Sequence, residues 1–82
     1  MIDVLYFAWV RERIGVPRET VETQAATVAD LVAELAARDD YHAAAFADLR
    51  ALRVAVDQEL TGFDATLKGA REVAFFPPMT GG

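Results

Sequence analysis

The first nine residues, MIDVLYFAW, are apolar on both alternating sets: Ile2, Val4 and Tyr6 on one, Leu5, Phe7 and Trp9 on the other. A strand written this way belongs in mid-sheet, because both of its faces must meet other apolar groups. Glu72-Val73-Ala74-Phe75-Phe76 near the other end reads as a last strand, stopped by Pro77-Pro78. With 82 residues, 54% of them hydrophobic and 26% charged, the chain has room for one core and enough apolar side chains to fill it. Disorder of the whole chain is excluded on the same ground.

Between these ends the pattern alternates. Val10–Gly15 (VRERIG) reads as a single helical turn ended by its glycine and blocked by Pro17. Arg18–Thr23 (RETVET) alternates and carries Thr and Val, so a second strand is predicted, forming a hairpin with the first. Thr27 stands as an N-cap with Asp30 three positions on, and Val28, Leu31, Val32 and Leu35 recur at helical spacing, predicting a helix over Val28–Arg38. Asp39 and Asp40 break that periodicity. A shorter helix is expected over His42–Leu49, anchored by Phe46 and Leu49. Leu52, Val54 and Val56 alternate as a third strand, and Asp57-Gln58-Glu59-Leu60 reads as a turn or short strand.

The order β, β, α, short helix, β, irregular stretch, β predicts an α+β fold of the β-grasp, or ubiquitin-like, type. In that topology the first and last strands lie side by side and parallel, joined by the long crossover that parallel pairing requires. Helices pack on one face of the mixed sheet. The domain is expected to span residues 1–76, and residues 77–82 to form a flexible extended tail. Leu5, Phe7, Phe75 and Leu60 are expected on the uncovered face, as an apolar patch of the kind that marks a protein partner.

Composition removes most other activities. The net charge is −5 and the basic residues are scattered, which argues against nucleic acid as a partner. There is no cysteine, no serine and no asparagine, one histidine and one lysine. Thiolate nucleophiles, a Ser-His-Asp triad and His-rich or Cys-rich metal sites are thereby excluded. No apolar run approaches the roughly 18 residues of a membrane span, and the chain opens on a strand rather than a signal core, so a cytoplasmic protein without membrane association is expected.

The remaining distinctive feature is the C-terminal run Pro77-Pro78-Met79-Thr80-Gly81-Gly82. At an average glycine usage of about 7%, a terminal Gly-Gly arises by chance roughly once in 200 chains, so the dipeptide is informative chiefly through its placement. It follows a strand and a stiff proline pair, and six residues extend about 20 Å at most, enough to enter another protein. Glycine admits close backbone approach in a narrow channel, and has no chiral Cα to scramble while a terminal carboxylate is activated.

The closing EVAFFPPMTGG and the opening VLYFAWVRE (Val4 to Glu12) are similar to those of the small, sulfur-carrier subunit family of molybdopterin synthase. The likeness runs the length of the chain. It departs from the family pattern before the last strand, where Gly69-Ala70-Arg71-Glu72 stands in place of the usual Gly-Asp-Glu. The resemblance implies that an activating enzyme uses ATP and magnesium to adenylate the Gly82 carboxylate, and that a sulfur donor protein converts it to a thiocarboxylate. Pro77, Pro78, Met79, Thr80 and Gly81 then thread into partner active sites. The large subunit, in a heterotetramer of two large and two small chains, receives the sulfur on precursor Z, cyclic pyranopterin monophosphate. The small chain binds no cofactor or metal of its own and is a non-catalytic carrier, with the catalytic groups on the large subunit.

Phe7, Leu60 and Phe75, from the apolar patch, and Arg11 and Lys68, by the resemblance, are expected at the partner interface. His42 is expected at the surface or as a cap, so that its replacement by alanine is nearly silent, and Trp9 is expected to pack. Two other uses of a Gly-Gly tail compete with this one: conjugation of Gly82 to lysines of target proteins, as in a ubiquitin-like modifier, and sulfur delivery to thiamine thiazole synthesis. A plain adaptor that uses the apolar patch alone is a third.

Overall fold

The computed structural model describes residues 1–78. Its elements are β1 (Ile2–Tyr6), α1 (Ala8–Ile14), β2 (Arg18–Val21), α2 (Val28–Ala36), α3 (Asp40–Ala45), a 3₁₀ turn (Leu49–Ala51), β3 (Arg53–Val56), β4 (Glu59–Thr61) and β5 (Glu72–Phe76). The five strands form one mixed sheet in the order β2-β1-β5-β3-β4. β1 and β5 are parallel neighbours in mid-sheet, as their two-sided apolar patterns predict, and every other pairing is antiparallel.

In β1, β3 and β5 every second residue points into the core. Ile2, Val4 and Tyr6 of β1, Val54 of β3, and Val73 and Phe75 of β5 are buried with Val10 and Ile14 of α1, Val28, Leu31, Val32 and Leu35 of α2, and Ala45 and Phe46. The helices therefore cover one face of the sheet and leave the other open. Phe75 stacks on Tyr6 at 6.3 Å between ring centroids and meets the edge of Phe46 at 5.0 Å.

Two helices differ from their sequence reading, and the turn or short strand expected at 57–60 is both. α1 begins at Ala8 rather than Val10, because β1 stops at Tyr6: the Phe7 carbonyl already accepts from Val10 N at 3.1 Å, and Ala8 turns the chain with φ of 53°. Gly15 closes α1 in the left-handed region at φ 99°, where an L side chain is strained. Asp39 does not interrupt helix formation but caps it. Its Oδ1 accepts from His42 N, so α3 starts at Asp40 and ends before Phe46. β4 is a true strand, joined to β3 by a two-residue turn in which Asp57 and Gln58 both have positive φ, 50° and 70°.

Candidate functional site

Because β5 runs from the turn at Arg71 to Pro77, the sheet aims residues 77 and 78 away from its last hydrogen-bonded rung, where Arg53 of β3 lies opposite Phe76. Pro77 and Pro78 are half-buried there. Met79, Thr80, Gly81 and Gly82, the reactive part of the expected tail, lie outside the described residues.

The open face beside this exit is laid out by the strand registers. Arg18 pairs with Leu5, Leu5 with Ala74, Ala74 with Ala55 and Ala55 with Leu60, so one row crosses all five strands and is apolar over four of them. Leu60 is 68% exposed, and Phe7, continuing the outward phase of β1, is 45% exposed. Phe76 adds a half-buried ring to the same face, next to the tail. Small Ala74 at the centre is covered by its neighbours, which leaves a shallow apolar surface rimmed by larger side chains.

Of the residues expected at an interface, Phe7 and Leu60 are on this face. Arg11 is exposed on α1, and Lys68 is exposed in the loop between β4 and β5, both off the strands that make the patch. Phe75 is a correction. It is 0% exposed, at the centre of the aromatic core, and Phe76 takes the outward position instead. The adjacent phenylalanines leave the phase of β5 open until the partners are compared: Val73 with Phe75 fills a core, whereas Ala74 with Phe76 leaves a flat outer face. Phe76 and Arg53 are the residues the sequence reading missed here.

His42 is a second correction. It is 6% exposed, and each ring nitrogen meets a carboxylate oxygen, Nδ1 that of Asp39 at 2.9 Å and Nε2 that of Glu19 at 2.7 Å. Glu19 also accepts from the Tyr6 hydroxyl at 2.6 Å and from Arg38 at 2.8 Å. A neutral imidazole would set one lone pair against a carboxylate, so the arrangement calls for an imidazolium donating from both nitrogens. Burial alone would lower the imidazole pKa, but the hydrogen bonds to Glu19 and Asp39 outweigh it and raise the value. Burial likewise works to raise Glu19, and its bonds from His42 and Tyr6 reverse this and lower it. Burial and the bond to Glu19 push the Tyr6 phenol far up, so it stays protonated. This network ties β1, β2 and the end of α2 to α3, on the covered side of the sheet, and it is structural. Trp9 packs against the core as expected, with the Arg13 guanidinium 5.3 Å from its ring centroid.

The ThiS family model matches residues 4–82. The chain belongs to the ThiS family. It is 46% identical over 82 residues to a protein of Escherichia coli (strain K12) named molybdopterin synthase sulfur carrier subunit, covering all of both chains. It is 40% identical, again over the whole of both chains, to the Haemophilus influenzae protein of the same name. Among solved structures it is similar to a putative molybdopterin converting factor subunit 1 from Pyrococcus furiosus, with a TM-score of 0.72 and 26% identity over 95% of this chain and 97% of that one. The fold also matches SAMP1 from Haloferax volcanii, with a TM-score of 0.73 and 22% identity over 99% of this chain and 98% of the other.

Proposed function

We propose that this ThiS-family chain is the sulfur-carrier subunit of a molybdopterin synthase, acting in the cytoplasm. The observation that carries the reading is the end-to-end match to two sulfur carrier subunits, 46% and 40% identical over every residue of each. An adenylating enzyme joins the Gly82 carboxylate to AMP at the expense of ATP, with magnesium, and releases pyrophosphate. A sulfur donor protein then displaces AMP and leaves a thiocarboxylate. The loaded tail enters the large subunit, where each carrier gives one sulfur to precursor Z and returns as a carboxylate, so a dithiolene consumes two.

Residues 1–78 supply docking and direction rather than chemistry. The open face with Phe7, Leu60 and Phe76 lies beside the tail exit, so a partner that covers this patch also receives the tail. Arg11 and Lys68 extend the contact beyond the sheet. Pro77 and Pro78 keep the exit extended, since proline fixes φ, and residues 79–82 reach the reacting centre. ATP and magnesium belong to the activating enzyme, and the carrier assembles with the large subunit as a heterotetramer.

The test uses thiocarboxylated chain, purified large subunit and precursor Z in single turnover. Molybdopterin formation, with loss of the carrier's sulfur in proportion, supports the reading. Recovery of Gly82-linked lysine conjugates in cells, with no molybdopterin formed in the purified system, overturns it in favour of a protein modifier.

A further inference from the structure

Arg53 is exposed on the open face, directly opposite Phe76 in the β3–β5 register and two residues from Ala55 in the apolar row. Its Nη1 donates to the Leu52 carbonyl at 2.9 Å and, more weakly, to that of Arg50 at 3.5 Å, which fixes one arm of the guanidinium against the backbone. Nε and Nη2 have no acceptor among the described residues, and this edge matches the two oxygens of a carboxylate. The other arginine of this face, Arg18, is neutralised by Asp3 at 3.3 Å. Asp3, which also accepts from the Thr20 hydroxyl at 2.8 Å, and Glu72 are register partners at the other end of β1 and β5. The open face thus carries the Glu72 carboxylate at one end of its strands and, at the end where Pro77 leaves the sheet, a cation without an ion-pair partner among the described residues.

We propose that Arg53 is a positioning and specificity residue for the partner that receives the tail, and that this partner is a protein presenting a carboxylate beside the mouth of its tail channel. The inference rests on the carrier reading above and adds the chemistry of the partner surface. When the patch is covered, an unanswered guanidinium next to Phe76 would be desolvated at a cost, whereas a facing carboxylate turns it into a bidentate pair. The pair fixes where the tail begins, and the six residues from Pro77 to Gly82 span about 20 Å at most from there. Surfaces without the acid are disfavoured by the same charge.

The experiment is calorimetric titration of the full chain with the cognate large subunit at low and high salt, for wild type, R53Q, R53K, R53E and F76A. R53Q is expected to bind roughly tenfold more weakly at low salt and to lose much of the salt dependence, with R53K intermediate and R53E weakest. Thermal melts of R53Q should match wild type, because the side chain is exposed. Wild-type affinity and salt dependence in R53Q, alongside weakened binding by F76A, would overturn the role of Arg53 and leave the docking face standing. If neither R53Q nor F76A changes binding, the docking face fails and the proposal with it. Absence of any binding by wild type overturns the carrier reading itself.

Discussion

Two neighbouring phenylalanines divide the work of the last strand. Phe75 fills the core against Tyr6 and Phe46, and Phe76 faces outward. Phe75→Ala should therefore cost about 3–5 kcal/mol of stability, read by urea denaturation, whereas Phe76→Ala should leave the unfolding midpoint nearly unchanged and weaken partner binding. A reading from sequence places an aromatic here without fixing its side, because strand alternation gives two equivalent phases until neighbouring strands are known. His42 shows the same limit more sharply. Its partners Glu19 and Asp39 are 23 and 3 residues away, and only the fold makes the first a neighbour. His42→Ala, which looks silent from sequence, should cost about 1–3 kcal/mol by removing a buried side chain that bonds both Asp39 and the half-buried Glu19. The pH dependence has a definite sign. The raised His42 pKa gives stability that is fully present below about 6.5 and is lost as pH rises through the folded value. The lowered Glu19 and Asp39 values give stability present above about 4 and lost as pH falls through theirs. The difference in melting temperature between wild type and H42Q should peak between about pH 5 and 6.5 and shrink on both sides; a flat difference would contradict the imidazolium bridge.

At the scale of elements, the sequence discloses whatever depends on local pattern. β1, β5 and the start of α2 are legible from alternation, from helical spacing and from the Thr27 cap, whose hydroxyl accepts from Asp30 N at 3.2 Å. α1 is legible only in part, because the apolar run through Trp9 masks the point where strand becomes helix. β4 is legible as a turn or short strand, without its exact bounds. Asp57-Gln58 lacks the glycine that usually marks a positive-φ hairpin, and long-range bonds hold it: Asp57 Oδ1 accepts from the Arg71 and Glu72 amides at 2.9 and 3.0 Å. Asp57 thereby tethers the start of β5. Asp57→Ala should destabilise by about 1–2 kcal/mol and raise amide exchange at Arg71 and Glu72, measured by hydrogen exchange. Unchanged exchange there would show the tether to be dispensable.

Over the whole molecule, the helix-covered face of the sheet holds the core, and the proposed function is assigned to the open face beside which Pro77 and Pro78 leave β5. Under the proposed function, that separation accounts for how a chain with no cysteine or serine and one histidine serves sulfur chemistry: the proposal puts the reacting group at its own terminal carboxylate and the machinery on its partners. The β-grasp topology is legible in the sequence because each element shows its pattern over contiguous residues and their order restricts how they pair. The composition of the docking face is not, since it joins side chains from β1, β3, β4 and β5. Deleting Gly82 should leave the thermal melt unchanged and abolish sulfur loading, because the core among the described residues is built from side chains between Ile2 and Phe75. The most direct measurement is the intact mass of the chain after incubation with ATP, magnesium, the activating enzyme and a sulfur donor. A gain equal to sulfur replacing one oxygen, located on Gly82 by fragmentation and absent from the Gly82 deletion, is the predicted result. An unchanged mass under conditions in which the enzyme forms the adenylate would contradict the account.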